Sequence, residues 1–187
     1  MINIKKLNAG ISLLVTGLLL LHALYQAVSY LVFYYNPFLS KLFGILISVF
    51  FAVHAVISLG CVFFLHDSKS IAYKKLNMRT FFQRLSALVM IFLLPLHIYS
   101  FTLLGAAAGT RFYVLIEAAQ VLFFAALFLH VALSFTNALV SLGLLEEMRK
   151  KRIADLLLLA AGGFLFFVIS AIVVFVHLKI FAGGGGA

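Results

Sequence analysis

The chain is 187 residues long, and 65% of its residues are hydrophobic while only 10% are charged. Soluble domains are typically about half apolar and a quarter charged, so this composition, with a mean hydropathy of +1.21, indicates an integral membrane protein. The net charge of +9 does not indicate a nucleic-acid-binding protein, because most of the basic residues lie before the first apolar segment or in the connections between segments.

Five apolar segments are long enough to cross a bilayer as helices, which takes about 20 residues. The fourth exceeds the length of one span and is expected to tilt or to project into water. The sequence therefore predicts an all-α integral membrane bundle of five transmembrane helices. Residues 1–182 are expected to form one domain, and the Gly-rich tail 183–187 to lie outside the fold. The segments are Gly10–Phe33, Leu42–Leu65, Leu85–Leu104, Phe112–Leu145 and Leu156–Phe181.

The basic residues predict the orientation of the bundle. Eleven of the fourteen lie before the first segment or in the second and fourth connections, which share one side if five helices alternate. The positive-inside rule then puts the N-terminus in the cytoplasm and the C-terminus outside. The expected location is a cytoplasmic (inner) membrane of the bacterial or archaeal type. The eleven residues are Lys5, Lys6, Lys69, Lys74, Lys75, Arg79, Arg84, Arg149, Lys150, Lys151 and Arg152.

The single cysteine, Cys61, excludes an intramolecular disulfide, a multi-cysteine metal site and a CxxCH haem attachment. The connections are too short to hold an enzyme active site of their own. Any redox or transport chemistry is therefore expected between the helices or in partner subunits.

Each of the first four segments carries one histidine deep within it: His22, His54, His97 and His130. An unpaired polar group in hydrocarbon costs several kcal/mol, and an intramembrane ionisable residue is by default a functional hypothesis. Counting at about 1.5 Å per residue from the polar outer ends gives two levels. His22 and His97 form an outer pair, and His54 and His130 form an inner pair.

Two histidines that face each other from different helices provide the axial ligands of a six-coordinate b-type haem. The second nitrogen of each ring then needs an acceptor, and the porphyrin needs apolar walls. One turn after the inner pair lie Ser58 and Ser134, whose small side chains would leave room for a macrocycle. The same small residues would equally allow close helix packing.

The chain resembles the di-haem cytochrome b membrane-anchor subunits of succinate:quinone and quinol:fumarate oxidoreductases. The resemblance covers nearly the whole chain and rests on four stretches: "TGLLLLHALYQAVSY", "VFFAVHAVI", "RLSALVMIFLLPLHIYSF" and "LFFAALFLHVALSFTNALVSLGLL". It implies two haem b groups, with His22 and His97 as ligands of the outer iron and His54 and His130 as ligands of the inner iron.

The resemblance also implies electron transfer between a membrane quinone, with menaquinone suggested, and two partners on the cytoplasmic face. These partners are an iron–sulfur subunit and a flavoprotein that interconverts succinate and fumarate. A dimer of such complexes is a further possibility. Arg84, at the start of the third span, is the first candidate for a haem propionate contact.

Glu117, Gln120 and His177 are the candidate residues for a quinone site at the outer end of the bundle, with Glu117 as the acceptor of a quinol proton. The alternatives are an interfacial Glu117 that pairs with Arg111 and a purely structural His177. Some family members carry a glutamate, proposed to conduct protons, at the position of Phe128, so a proton route there is in doubt. His66, beside Asp67, is expected to be solvated or near a propionate.

Two other functions fit parts of the pattern. A five-helix cytochrome b subunit of nitrate-reductase-like complexes takes two ligands from each of two helices. The second segment and its end offer His54 and His66, but the fifth offers only His177. A haem-free transporter or scaffold would use the intramembrane histidines as a proton relay.

Overall fold

The computed structural model describes residues 3–64 and 74–182. Within them, six α-helices are followed by a short π-helix at Leu178–Ala182, and there is no strand. Five helices are long and apolar enough to cross a membrane, and the short α4 follows the third of them. The prediction of an all-α bundle of five membrane-spanning helices is confirmed. The helices are α1 (Ile4–Val32), α2 (Pro37–Phe64), α3 (Lys74–Ile98), α4 (Ser100–Ala107), α5 (Arg111–Ser141) and α6 (Met148–His177).

Local sequence signals set the first and last turns between these helices. Asn36 caps α2, because its Oδ1 accepts from the backbone N–H groups of Phe38 and Leu39 at 3.0 and 3.2 Å. Pro37 occupies the first helical position, where its missing N–H is not needed. After α5 the chain turns at Gly143, whose φ of +76° is a left-handed conformation that glycine adopts without strain.

The third span differs from the predicted segment Leu85–Leu104. The helix begins earlier, at Lys74, and is interrupted at Tyr99, four residues after Pro95. Proline removes its own backbone donor and clashes with the turn before it, so it does not account for an interruption after it, where the Tyr99 N–H still donates to the Pro95 carbonyl. The fifth span also begins earlier than predicted, at Met148, because charged residues can form helix outside the hydrocarbon.

The arrangement of the helices is that of two pairs. α1 packs against α2 as an antiparallel hairpin, and α3 packs most extensively against α5. The pairs meet through α1 and α5, and α6 packs on both of these helices. Over the described parts of the chain, α2 has its one extensive contact with α1. The interface between the α1–α2 hairpin and the α3–α5 pair is therefore the loosely packed one.

Most side chains of the bundle face outward. Even in α5, the most enclosed helix, only 28% of the residues of its most apolar window are buried inside the chain. Outward side chains such as Val56, Phe92 and Phe167 are apolar and more than two-thirds exposed, as lipid contact requires. Since lipid is as apolar as these side chains, close packing and interhelical hydrogen bonds hold such a bundle together.

Candidate functional site

The four intramembrane histidines lie on the four helices that border the loosely packed interface. His22 and His54 belong to the α1–α2 hairpin, and His97 and His130 belong to the α3–α5 pair. The imidazoles of His22 and His97 are close enough to interact electrostatically, and those of His54 and His130 are as well. Each pair therefore takes one ring from each half of the bundle.

His97 is oriented by a glutamine from α5. Its Nδ1–H donates to Gln120 Oε1 at 2.9 Å, and Gln120 Nε2 donates to the Leu96 carbonyl at 3.0 Å. The ring of His97 stacks on Phe123, with 4.5 Å between centroids and 13° between planes. These contacts fix the ring and leave the lone pair on Nε2 for a ligand.

His130 is oriented by the main chain of α3. Its Nδ1–H donates to the Gln83 carbonyl at 3.0 Å, which again leaves Nε2 with the lone pair. One turn later, Ser134 Oγ donates to the His130 carbonyl at 2.6 Å, so its side chain is turned back against its own helix. Ser58, predicted to leave room beside His54, donates instead to Asn8 Oδ1 on α1.

The histidines of the α1–α2 hairpin lack such partners. The Nδ1 atoms of His22 and His54 are buried and have no hydrogen-bond partner in the described part of the chain. Buried polar atoms of this kind are uncommon and call for an explanation, of which a bound group is one. Each of these two rings therefore has a buried nitrogen that no neighbouring side chain among the described residues uses, either as a hydrogen-bonding group or as a ligand.

Two small cavities lie in the interface between the halves. The inner one, of about 30 Å³, has His54 and His130 in its wall, together with the small side chains Ser12, Thr16 and Ser134. The other, of about 40 Å³, lies next to it, shares Leu19, Phe51, Met90 and Leu127 with it, and has an almost wholly apolar lining.

These cavities bear on whether a haem fits. A water needs about 10–15 Å³ measured in this way, so each cavity as it stands has room for water-sized groups only. The donor set fits a haem: imidazole pairs from facing helices, two with oriented rings and two with unused buried nitrogens. A macrocycle would have to part the two halves, whose contact through α1 and α5 is less extensive than the contacts within each half.

The outer end of the bundle holds a buried polar cluster. His177 Nδ1 lies 3.0 Å from Glu117 Oε2, and its Nε2 lies 3.3 Å from the Tyr30 hydroxyl. His177 is 2% exposed and Glu117 is 7% exposed. The nearby Tyr113 hydroxyl is buried and has no hydrogen-bond partner among the described residues. A carboxylate, an imidazole and a phenol in series can hold and pass on a proton.

The predicted quinone residues thus separate into two groups. Glu117 and His177 are in direct contact, so Glu117 has a histidine rather than Arg111 as its partner. Gln120, one turn from Glu117, belongs to the surroundings of His97. Phe128 packs onto α6, where its ring stacks on Phe166 with centroids 5.8 Å apart.

The inner end holds a cluster that the sequence analysis missed. Arg79 donates to both carboxylate oxygens of Asp155 at 2.9 and 3.0 Å, and also to the Leu133 carbonyl and the Thr136 hydroxyl. It joins α3, α5 and α6. The signal was Asp155, an acid between a basic run and an apolar segment. Arg84, the predicted propionate contact, is exposed, and His66 lies outside the described residues.

No protein-family model, curated protein or solved structure matches the chain. The functional assignment therefore depends on the chemistry and arrangement of the chain's own residues.

Proposed function

We propose that the chain is a di-haem cytochrome b membrane-anchor subunit of the succinate:quinone and quinol:fumarate oxidoreductase type. It would carry electrons between membrane menaquinone or menaquinol and the iron–sulfur subunit of a succinate dehydrogenase or fumarate reductase. One observation carries the proposal: each half of the bundle contributes two intramembrane histidines, and across the interface between the halves His54 and His130 line one cavity while His22 lies within electrostatic range of His97.

The ligand residues would each have a distinct task. His97 and His130 offer Nε2 lone pairs on rings held by Gln120 and by the Gln83 carbonyl. His22 and His54 offer the opposing bonds from the other half of the bundle. Apolar side chains in the interface, Phe51 among them, would exclude water from the bound groups.

Haem iron would supply one-electron transfer, and irons at two levels would divide a hydrocarbon core of about 30 Å into shorter steps. The chain's role is to hold the two levels apart. His22 and His54 are 32 residues apart in sequence but lie on antiparallel helices of one hairpin. The positions of the two histidines relative to the turn between α1 and α2 would therefore set the separation of the levels.

The quinone would react at the outer end. There Glu117 and His177, with the Tyr30 hydroxyl, could take up the proton that quinol releases on oxidation. The cluster is enclosed by Phe101 and Phe181, whose rings lie 6.4 and 6.1 Å from that of His177. Such apolar surroundings suit a quinone ring and keep bulk water away from the transferred proton.

The soluble partners would dock at the basic end of the bundle. The four consecutive basic residues 149–152 begin α6, and Lys150 is two-thirds exposed. An exposed basic surface is complementary to an acidic partner and guides its approach. We assign the dicarboxylate chemistry to a flavoprotein partner, reached through an iron–sulfur subunit.

A haem-free proton carrier is the second candidate function, and the buried Tyr30–His177–Glu117 series favours it. Such a protein would use the same polar cluster without any redox group. The two functions differ in one measurable property, which is the presence of haem.

The test is pyridine haemochrome analysis of the chain purified in mild detergent after expression with adequate haem supply. We expect two haem b per chain. We expect the loss of one haem, identified by its spectrum as the same haem, in His22→Ala and in His97→Ala. We expect the loss of the other haem in His54→Ala and in His130→Ala. The matched control is His177→Ala, an intramembrane histidine outside the interface, which should retain both.

Two results would overturn the proposal. A well-folded protein, monodisperse on gel filtration, that binds no haem would favour the proton carrier. Loss of haem in His177→Ala with retention in His97→Ala would assign the ligands to other residues and exclude the pairing.

A further inference from the structure

The two oriented histidines differ in the kind of group that accepts their Nδ1–H. His130 donates to a main-chain carbonyl, that of Gln83. His97 donates to a side-chain amide, that of Gln120. The first acceptor is present whatever residue occupies position 83, whereas the second exists only because position 120 is a glutamine. The outer imidazole is thus the one whose environment a side-chain substitution can change.

The interruption of α3 explains how Gln120 comes to be there. The helix ends at Ile98, and of the carbonyls in its last turn that of Pro95 still accepts from the Tyr99 N–H, whereas a carbonyl at a helix end can lack its helical donor. Gln120 Nε2 donates to one of them, that of Leu96. Gln120 is 2% exposed, so its amide cannot hydrogen-bond to water. Its two hydrogen-bond partners, the His97 ring and the Leu96 carbonyl, both belong to α3.

This second bond determines which end of the amide faces His97. A carbonyl accepts only, so the NH₂ group must point to Leu96 and Oε1 must point to His97. Oε1 is also an acceptor only, so His97 must carry its proton on Nδ1. The tautomer with a free Nε2 is therefore imposed by the Leu96 carbonyl through Gln120.

We infer that Gln120 is the positioning residue of the outer axial ligand and holds the outer haem at a lower reduction potential than His97 alone would give. The inference rests on the proposed function. An acceptor on Nδ1–H makes the imidazole a stronger donor to iron, and stronger donation favours the ferric state. The outer and inner potentials would then be set separately, one by a side chain and the other by the main chain.

The experiment compares the same substitution at two sites. Gln120→Leu removes the acceptor of His97, whereas Gln83→Leu leaves the acceptor of His130 in place. Potentiometric titration of the two haems should show a rise in the outer potential in Gln120→Leu alone. Mutation of the outer-shell partner of a metal ligand typically lowers metal affinity or activity by about 10- to 100-fold. A tenfold loss of preference for ferric iron corresponds to a rise in reduction potential of about 59 mV for a one-electron couple.

A third variant separates positioning from a structural role. Gln120→Glu keeps an acceptor for His97 but cannot donate to Leu96 when ionised. Its outer potential should be unchanged or lower than that of the unmodified chain, and the low-spin ferric spectrum of the outer haem should be retained. Loss of the outer haem in Gln120→Leu with retention in Gln120→Glu would support the same assignment.

Three outcomes would overturn the inference. They are an unchanged outer potential in Gln120→Leu, an equal rise in Gln83→Leu, and loss of the outer haem in both Gln120 variants, which would assign the effect to the Leu96 bond. Absence of haem from the unmodified chain would instead refute the proposed function.

Discussion

The ion pair between Arg79 and Asp155 is expected to be the strongest single polar link between α3 and α6. Asp155 accepts two hydrogen bonds from Arg79 and a third, at 2.6 Å, from Thr136. The Arg79 and Asp155 side chains are 23% and 29% exposed, and the Thr136 residue is fully buried. The pair therefore lies between a surface ion pair and a fully buried one.

This intermediate burial determines how much stability we expect to be lost when one partner of the ion pair is removed. Exposed pairs contribute about 0–1 kcal/mol, whereas removing one partner of a buried pair costs about 3–5 kcal/mol. We expect Asp155→Ala to lower the free energy of unfolding by about 2–3 kcal/mol, between these limits. Arg79→Ala should cost a similar amount. Thr136→Val, which removes one bond to the carboxylate, should cost about 1 kcal/mol.

A double-mutant cycle isolates the interaction. Because the two side chains meet directly, the double variant should be less destabilised than the sum of the single variants, by about 2 kcal/mol. The measurement is reversible unfolding in bicelles or mixed micelles. The matched control is the pair of Glu147 and Lys150, which are about two-thirds exposed, so Glu147→Ala should cost less than about 1 kcal/mol. Additive effects of the two single substitutions, within about 0.5 kcal/mol, would refute the reasoning.

Two further substitutions test the packing. A Cβ at Gly162 would lie 3.0 Å from the Phe128 ring, so Gly162→Ala should destabilise the chain by about 1–2 kcal/mol. A Cβ at Gly17 would meet open space, so Gly17→Ala should be neutral or stabilising by up to about 1 kcal/mol. In a Phe128→Ala background, Gly162→Ala should be no more destabilising than Gly17→Ala. If Gly162→Ala remained the more destabilising substitution in that background, the Phe128 ring would not be the cause. Asn36→Ala should cost about 1 kcal/mol through loss of the α2 cap, while Asn36→Asp should not. Thermal unfolding in detergent measures the stability of the glycine variants and of the Asn36 variants. Equal losses of stability in Asn36→Ala and Asn36→Asp would contradict the capping role.

The number and kind of the spanning helices could be predicted from the sequence, because each span is a long apolar run. The ends of the spans could not be predicted as well. α6 begins at Met148 among charged residues, and hydropathy carries no signal for helix that extends into water. The break at Tyr99 was also missed, because the apolar run continues through it without a change in hydropathy.

The histidine levels could be read from sequence because depth along a helix is a simple count. Counting grouped His22 with His97 and His54 with His130, and both this pairing and the binding of haem by the pairs remain predictions. The contacts of Gln120 and Arg79 could not be read, because they depend on which faces of α3, α5 and α6 meet. A long polar side chain in a span indicates a partner but does not identify it.

The division of the bundle into two halves has a consequence for biogenesis. The α1–α2 hairpin leaves the ribosome with His22 and His54 before α5 has been synthesised, and it carries one member of each imidazole pair. The α3–α5 pair carries the other two. Neither half alone can supply both axial ligands of one haem iron. On the proposed function, haem incorporation would therefore report that the two halves have associated. The chain would then carry its own optical marker of complete assembly.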